Sequence, residues 1–406
     1  MHPTVPGHPA KRDEKAGMIM KKILATAALL CVGFNPAGAA DRIKIGFLST
    51  LSGPSAALGV DIRDGFNLAI KHLGGKLGGL PTEVIVGDDT FSPDVGKQIT
   101  DRMLKRDDVH FMTGIVFSNI MLAVAPAIFQ DQTFYISPNA GPAELAGEKC
   151  NPFFFNVAWQ NDNLHEAMGK HVADKGYRNV YLIAPNYPAG RDALNGFKRF
   201  YKGTTSGEVY TKLGQLDYAA ELAQLRASKP DAVFIFLPGG MGINFIKQYD
   251  QAGLSGAIPL FGPGFSADED VIRAVGNGMQ GMFNSSHWNR DIDNAQNRRF
   301  VADFEKDYGR SPTLYASQGY DAAMLIDSAV RAVKGKIEDK NALRAALRKA
   351  DFKSVRGAFR FNNNHYPVQD YYLRLIARDD KGRLTNRIVG TIFKNHADAY
   401  ASTCKM

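Results

Sequence analysis

The sequence predicts an α/β protein of two similar lobes, each built on a parallel β-sheet buried between helices. Three observations support this fold class. Short, continuous apolar runs have the length of strands that are buried on both faces. Segments of about 10–15 residues with helical spacing of apolar side chains separate these runs, as in βαβ units. The alternation occurs twice along 406 residues, a length that suits two domains.

The first run of alternating elements covers roughly residues 41–158. It opens with the apolar strand 43–48, and a helix follows in which Ile62, Phe66 and Ala69 recur at helical spacing. The other predicted elements of this run are strands at 82–86, 109–116 and 133–136 and helices at 95–103 and 119–130.

The second run covers roughly residues 159–287, and a different pattern follows it. Its predicted strands are 180–184, 209–213, 232–237, 258–261 and 279–283, and its predicted helices are 189–201, 216–227 and 243–252. Beyond the second run we predict helices at 295–308, 314–333 and 340–350, then strands near 359–361, 371–377 and 388–393 with turns at 362–364 and 379–382.

The charge balance argues against a nucleic-acid binder. The formal net charge is +8, from 49 basic and 41 acidic residues, but residues 1–40 hold five basic and two acidic ones. The remaining chain therefore carries +5, and its basic residues alternate with acids as they do on solvated helix faces. Aromatic and basic residues are not interleaved, so we expect no nucleic-acid partner.

Residues 1–40 predict an export leader. A lysine pair precedes the mostly apolar stretch 23–34, and small residues of the kind that signal peptidase reads follow it. The apolar stretch is shorter than the roughly 20 residues of a membrane span. We expect cleavage near Ala39-Ala40 and a periplasmic product, with 1–17 lying upstream of the true start. A buried N-terminal helix is the alternative.

Two cysteines, Cys150 and Cys404, remain after the leader. An even number of cysteines in an oxidising compartment favours a disulfide, which would tie the C-terminal tail to the body. Two free thiols are the alternative. Cys31 lies within the apolar stretch but follows Leu30, whereas a lipoprotein signal has a small residue there, so we expect no lipid anchor.

The loops at the carboxyl ends of the predicted strands are where an open α/β sheet binds its ligand. They are rich in Gly, Pro, Ser, Asn and aromatic residues and poor in ionisable groups. The segment 238–242 lacks the third glycine of a dinucleotide fingerprint and the Gly-Lys-Ser/Thr of a P-loop. No Gly-x-Ser-x-Gly elbow occurs, and we interpret the lone His287 as a surface or hinge histidine. We predict no enzyme activity, metal or cofactor.

A neutral cleft of this composition suits a small carboxylate. Backbone N–H groups at helix N-termini can bind a carboxylate without arginine. Aromatic rings such as Phe117, Tyr187 and Phe265 would cover an apolar ligand body.

Short motifs follow the predicted strands in a recognisable order. They are Leu51-Ser52-Gly53-Pro54 with Gly59, Gly114 with Ser118-Asn119, Ile136-Ser137-Pro138-Asn139-Ala140, Tyr187 with Gly190, and Phe261-Gly262-Pro263. Together they resemble the periplasmic solute-binding proteins of the branched-chain amino acid type, which feed ABC importers. The resemblance covers about residues 41–395.

The resemblance implies a type I periplasmic-binding fold: two Rossmann-like lobes that close around a ligand, joined by a hinge of three segments. The crossings would lie near Trp159, near Trp288 and around 361–371. The implied domains are the leader 1–40, lobe one at 41–158 plus 288–362, lobe two at 159–287 plus 363–398, and a C-terminal tail at 399–406. The implied partners are a small-molecule carboxylate and an ABC permease complex in the inner membrane, and we expect a monomer.

The resemblance also implies a set of binding residues. In the family, the Gly-x-x-x-Ser and Ser-Pro-x-Ala elements bind the ligand's carboxylate, and Ser118 and the backbone at 139–141 match them. A lobe-two tyrosine of the family matches Tyr187, and a glycine-rich loop of the same lobe matches Gly239. The predicted ligand-binding residues are Leu58, Phe117, Ser118, Asn139, Ala140, Gly141, Tyr187, Gly239, Phe265 and Ser266.

The sequence departs from the family where an amine would bind. Family members that bind amino acids usually have a Glu after the Phe-Gly-Pro stretch, whereas this chain has Gly264, Phe265 and Ser266, and its nearest acid is Asp268. A buried ammonium without a carboxylate is costly. We therefore expect a carboxylate that lacks an amine. The segment Tyr187-Pro188-Ala189-Gly190-Arg191-Asp192 also resembles a branch of the family associated with aromatic acids, which implies an aromatic carboxylate such as a benzoate or phenylpropenoate.

Three alternatives stay open at this stage. The first is a branched-chain or neutral amino acid binder in which Asp268 pairs with the ammonium. The second is an exported sensor that presents its ligand-bound form to a receptor. The third is an exported enzyme, for which the loops supply no acid–base pair.

Overall fold

The computed structural model describes residues 1–7 and 40–406. Residues 1–7 are exposed and contain no helix or strand. The predicted leader lies outside the described residues apart from these seven residues and Ala40, which leaves its cleavage a prediction. None of the helices in the described ranges is long and apolar enough to cross a membrane.

The first lobe is built on a sheet in the order β2-β3-β1-β4-β5-β6. These strands are β1 Ile43–Ser49, β2 Lys76–Leu77, β3 Leu80–Asp88, β4 Phe111–Thr113, β5 Phe134–Ser137 and β6 Phe154–Asn156. All neighbours are parallel except β2 and β3. The helices between these strands are α1 Ala56–His72, α2 Pro93–Lys105, α3 Ser118–Gln130 and α4 Ala143–Ala146. This is the predicted parallel α/β arrangement.

The second lobe repeats the alternation. Its helices are α5 Asn163–Asp174, α6 Pro188–Phe200, α7 Ala219–Ser228, α8 Gly240–Gln251 and α9 Glu269–Val275. Its parallel strands are β7 Asn179–Pro185, β8 Thr204–Thr211, β9 Ala232–Ile235, β10 Leu260–Pro263 and β11 Phe283–Ser286.

The last part of the chain returns to the first lobe and then completes the second sheet. Its elements are α10 Ala295–Tyr308, α11 Leu314–Ala332, α12 Lys340–Lys349, β12 Arg360–Phe361, β13 Pro367–Arg378 and β14 Leu384–His396. The second sheet has the order β12-β13-β11-β10-β9-β7-β8, and β14 pairs with β13. The β12, β13 and β14 pairings are antiparallel, which explains the change of pattern seen in the sequence.

Two glycines hold α11 against α1 in the first lobe. A Cβ on Gly65 would lie 1.9 Å from the carbonyl oxygen of Ala316, and one on Gly319 would lie 2.0 Å from that of Ile62. Any side chain at either position would therefore separate the two helices. The contact between α1 and α11 places α11 in the first lobe, although the two helices are more than 200 residues apart in sequence.

Within residues 40–406 the chain passes between the lobes three times. The first passage, 157–162, leads from β6 to α5, which packs against β10 and β11. The second passage, 287–294, leads from β11 to α10. The third is β12 with β13, since β13 pairs with β12 at Val368 and with β11 at Tyr372. His287 lies in the second passage, which agrees with its interpretation as a hinge residue, but it is buried, so a surface position is wrong.

The tail is tied to the body by a disulfide between Cys150 and Cys404, which confirms the predicted pairing. Cys404 follows a short 3₁₀ turn, Ala401–Thr403, and Cys150 lies between α4 and β6. A cross-link between residues 254 apart in sequence removes conformational freedom mainly from the unfolded chain.

Some elements differ from the sequence prediction. The predicted strand 279–283 is instead a 3₁₀ turn, Gly276–Met279, followed by β11, because Gly276 and Gly281 adopt positive φ angles that interrupt an extended run. The predicted strand 109–116 is regular only at β4, and its last residues enter the cleft as a loop. The sequence prediction also missed β6, α5 and α9.

Candidate functional site

A cavity lies between the two lobes at the carboxyl ends of their strands. Loops after β4, β5, β7, β9 and β10 contribute to it, together with the first passage and the starts of α5 and α11. Its lining residues are Val116, Phe117, Ser118, Asn139, Trp159, Asn161, His165, Tyr187, Ala189, Phe236, Pro238, Phe265 and Tyr315. None of these described lining residues is an acid, lysine or arginine. The position matches the general rule for open α/β sheets.

Aromatic rings form most of the cavity wall. The ring of Tyr187 stacks on Phe236 at 6.1 Å between centroids and lies 6.2 Å from Phe117. Phe265 packs edge-to-face on Phe236 and lies 5.1 Å from Trp159. These rings reach the cavity from both lobes and from the first passage. The wall therefore provides an apolar surface suited to a flat ligand body.

The first lobe offers hydrogen-bond donors at the start of α3. Phe117 is the N-cap residue and provides no side-chain cap, so the first N–H groups of α3 have no partner within the helix. Asn161 Nδ2 donates to Ser118 Oγ at 3.1 Å. Ser118 Oγ donates to no acceptor among the described residues, so its hydroxyl hydrogen is available to a ligand.

Two tyrosines add further donors to the cavity. Tyr187 is the N-cap residue of α6 in the second lobe, and Tyr315 lies in the first turn of α11. Burial raises the pKa of both phenols well above the ordinary value of 10. Both hydroxyls therefore keep their hydrogens at neutral pH and can donate to an anionic ligand.

His165 contributes an acceptor instead. Its Nδ1 lies 2.6 Å from the carbonyl oxygen of Asn161, which can only accept, so Nδ1 carries the hydrogen. Burial lowers the pKa of His165 to about 3, which keeps the ring neutral. Its Nε2 is then an acceptor, and it is buried without a hydrogen-bond partner among the described residues.

Asn161 connects the cavity to both lobes. Its Oδ1 accepts from Gly141 N at 3.1 Å, and its Nδ2 donates to Ser118 Oγ and to Asp192 Oδ2 at 2.9 Å. Asp192 lies on α6 of the second lobe, and its Oδ2 also accepts from Ala143 N of the first lobe at 3.2 Å. This network couples the position of Ser118 to the closed arrangement of the lobes.

The structure brings together half of the sequence-predicted binding residues. Those that line the cavity are Phe117, Ser118, Asn139, Tyr187 and Phe265, and those that do not are Leu58, Ala140, Gly141, Gly239 and Ser266. The N–H of Gly141 is already bonded to Asn161, and Ser266 Oγ accepts from Leu237 N at 3.0 Å. The carbonyl of Ala140 accepts from Ser137 and Asn156. Gly239 packs near Leu58 across the cleft.

Asp268 does not line the cavity. Its Oδ1 pairs with Arg374 Nη1 at 3.1 Å, and its Oδ2 accepts from Leu314 N at 2.6 Å. Both carboxylate oxygens are therefore bonded within the protein. A ligand ammonium in the cavity has no counter-charge from Asp268, contrary to what the amino acid alternative requires.

Sequence reasoning missed several lining residues. Trp159 was predicted only as a crossing point, and Asn161, His165 and Tyr315 were not predicted at all. His165 lies in α5 and Asn161 lies in the turn before it, and the sequence analysis did not predict this helix. The detectable signal for Tyr315 was Thr313, whose side chain caps α11 by accepting from Ala316 N.

Comparison with known proteins identifies a matching family and a similar protein that covers most of the chain. Residues 42–381 match the family described as periplasmic binding protein. The Leu/Ile/Val-binding protein homolog 6 of Brucella melitensis is 27% identical over 384 residues, covering 92% of this chain and 98% of that protein.

Solved structures of similar fold are solute-binding proteins of ABC transporters. A solute-binding protein of an ABC transporter from R. palustris, in complex with benzoate, is 32% identical with a TM-score of 0.85, and the match covers 90% of this chain and 100% of that one. A second, from Rhodopseudomonas palustris BisB5 in complex with 3,4-dihydroxybenzoic acid, is 29% identical with a TM-score of 0.84, covering 89% and 99%. From its match over residues 42–381, the chain belongs to the periplasmic binding protein family.

Proposed function

We propose that this protein captures a small aromatic carboxylate between its lobes outside the cytoplasm and delivers it to the permease of an ABC importer. The observation that carries the proposal is the cavity itself, in which aromatic rings surround uncharged hydrogen-bond donors. The benzoate and dihydroxybenzoate complexes of the two similar proteins support the ligand class.

The carboxylate binds at the start of α3 in this proposal. The hydroxyl of Ser118 and the free N–H groups of the first helical turn donate to it, and the positive end of the helix dipole favours the negative charge. Tyr187 and Tyr315 donate from the second lobe and from α11. Hydrogen bonds to an ionised acceptor are about twice as strong as neutral ones, so these donors can replace an arginine.

The ring of the ligand packs among Phe117, Phe236 and Phe265. Burying an aromatic body among such rings provides an apolar contribution and the additional stabilisation of stacked or edge-to-face pairs.

Closure of the lobes retains the ligand. Asp192 accepts from Ala143 N across the cleft, and the ring of Phe91 in lobe one lies 3.4 Å from where a Cβ of Gly214 in lobe two would be. A ligand that contacts both lobes binds the closed form better than the open one and so shifts the equilibrium towards it. The closed form would be the species that docks on the permease.

The remaining features of the proposal rest on the sequence. Leader cleavage near Ala39-Ala40 would release a monomer into the periplasm. The lobe boundaries would be 41–158 plus 288–362 and 159–287 plus 363–398. Residues that do not line the cavity, such as Gly141 and Ser266, would support the binding loops through the hydrogen bonds described above.

A branched-chain amino acid ligand is the second candidate. The relative from Brucella melitensis, a Leu/Ile/Val-binding protein homolog by name, favours it. The engagement of Asp268 with Arg374 and Leu314 argues against it, because the ammonium would be buried without a carboxylate.

Isothermal titration calorimetry on the exported protein separates the two candidates. We expect benzoate or a hydroxybenzoate to bind with micromolar or lower Kd, and leucine, isoleucine and valine to produce no heat of binding. Binding of leucine without a response to benzoate, hydroxybenzoates or cinnamate would overturn the proposal.

A further inference from the structure

Two buried acceptor atoms of cavity-lining residues have no hydrogen-bond partner within residues 1–7 and 40–406. They are Nε2 of His165 and Oδ1 of Asn139. His165 is 1% exposed and Asn139 is 9% exposed, so bulk water does not solvate either side chain. Leaving a buried polar atom without a partner destabilises the protein, so such an atom calls for an explanation.

The local hydrogen bonds determine that both atoms accept rather than donate. Nδ1 of His165 donates to the carbonyl of Asn161, which leaves an unprotonated Nε2 on the neutral ring. Nδ2 of Asn139 donates to the carbonyl of Val116 at 2.6 Å, which leaves Oδ1 as the free end of the amide. Each tautomer or amide orientation therefore follows from a bond to a carbonyl oxygen.

A carboxylate has no hydrogen to give, so it cannot satisfy either atom. The donors Ser118, Tyr187 and Tyr315 suit the carboxylate, whereas the two free acceptors need a ligand group that donates. His165 lies on the aromatic side of the cavity, with its ring 5.0 Å from Phe236 and 5.5 Å from Phe265. The ligand ring would be placed among the same side chains.

We propose that the cavity selects a hydroxylated aromatic carboxylate over the unsubstituted acid, with Nε2 of His165 accepting the hydrogen of a phenolic hydroxyl. Asn139 Oδ1 is the acceptor for a second donor. This proposal rests on the proposed function, since it names the substituent that the same site recognises. A site built to hydrogen-bond a hydroxyl discriminates against an analogue without it, because the protein acceptor is then left unpaired.

The first test uses the unaltered protein. Calorimetry compares benzoate with the 2-, 3- and 4-hydroxybenzoates, and then compares the tightest of these with its methyl ether. We expect that hydroxybenzoate to bind about fivefold or more tightly than benzoate, the gain of one net hydrogen bond. The methyl ether keeps the oxygen but lacks the hydrogen, so it should lose this gain. Equal affinity for benzoate and all three hydroxybenzoates would overturn the proposal, as would an ether that binds as tightly as the phenol.

The second test places the effect on His165. In His165→Phe the preference for the hydroxybenzoate over benzoate, measured as the ratio of their two Kd values in the same variant, should fall towards one. The matched control is His171→Phe, since His171 lies on the same helix, also has an unpartnered Nε2 within the described residues, and is outside the cavity. An unchanged preference in His165→Phe would contradict the assignment. If this variant does not fold, the phenol and ether measurements still decide the proposal.

Different results would contradict the proposed function and the inference about His165. If no aromatic acid binds, the proposed function is wrong. If benzoate binds tightly and a hydroxyl adds nothing, the function stands and only the inference about His165 is wrong.

Discussion

The two sides of the cavity are built from different parts of the protein architecture. The first lobe presents short loops and a helix N-terminus, where Ser118 and backbone N–H groups donate. The second lobe and the first passage present large side chains, namely Tyr187, Phe236, Phe265 and His165. In the proposed binding mode, the donors of the first lobe hold the carboxylate, and the side chains of the second lobe, together with Phe117, contact the ligand body. The proposal therefore assigns most of the discrimination between ligand bodies to the second lobe and the first passage.

Truncating the aromatic side should have the largest effect. Phe236→Ala removes a buried ring and should lower the free energy of unfolding by about 3–5 kcal/mol, with loss of aromatic acid binding. Chemical denaturation and calorimetry measure the two effects. The control Phe304→Ala removes a fully buried ring outside the cavity and should lower stability but keep affinity. If both variants keep affinity, Phe236 does not hold the ligand.

Removing the hydroxyl of Ser118 should weaken binding by a smaller amount, because only its hydrogen bond to the ligand carboxylate is lost. Ser118→Ala loses one hydrogen bond to a charged acceptor, about 1.5–3 kcal/mol, which raises Kd roughly tenfold to a hundredfold. The exposed Ser255→Ala is the control and should leave Kd unchanged. An unaltered Kd in Ser118→Ala would place the carboxylate elsewhere.

The contact between the lobes should make affinity depend on pH. Burial and then the nearby carboxylate of Asp162 raise the pKa of Asp192 to about 7. If the open cleft exposes this carboxyl, its pKa there is near the ordinary value, so closure takes up a proton between about pH 4 and pH 7. Affinity should thus be greatest at the acidic end of the window and fall roughly tenfold or more by pH 8.

Calorimetry at pH 5 and pH 8 checks this dependence, with Asp192→Asn as the comparison. The variant cannot titrate at this position, so its affinity should vary less with pH. An affinity that rises with pH in the unaltered protein would contradict the expected sign.

The smallest effect should come from the rim of the cleft. Phe91 packs edge-to-face on Phe117 at 4.4 Å and reaches towards Gly214 of the other lobe. Phe91→Ala removes the contact with the other lobe, which depends on closure, and should weaken ligand binding by less than about 1.5 kcal/mol, the upper value for one aromatic pair. Phe352→Ala, which removes a ring packed on Phe359 away from the cavity, is the control and should keep the same Kd. Faster ligand release in Phe91→Ala, measured by stopped flow, would assign the loss to closure.

The two sides also differ in how far the sequence predicts them. Ser118 and Asn139 directly follow apolar strands, so the rule that ligands bind at carboxyl strand ends locates them. His165 and Asn161 depend on α5, which buries polar residues such as Asn163 and Glu166 as well as apolar ones. A helix with polar residues on its buried face lacks the apolar stripe on which sequence prediction depends.

Hydrogen-bond partners explain the other residues that the sequence did not resolve. Gly141 and Ser266 carry groups suited to a ligand, but Asn161 and Leu237 already use those groups. Asp268 is the nearest acid to the Phe-Gly-Pro stretch in sequence, yet Arg374 reaches it from β13, about 100 residues later. Such long-range partners leave no local signal in the sequence, whereas the two-lobed α/β fold follows from local patterns.

A crystal structure of the protein with a tightly bound hydroxybenzoate tests the central claim most directly. The proposal predicts the carboxylate within hydrogen-bond distance of Ser118 Oγ and the tyrosine hydroxyls, the ring among Phe117, Phe236 and Phe265, and the phenolic oxygen next to Nε2 of His165. A ligand with its carboxylate against His165, or one bound outside this cavity, would contradict it.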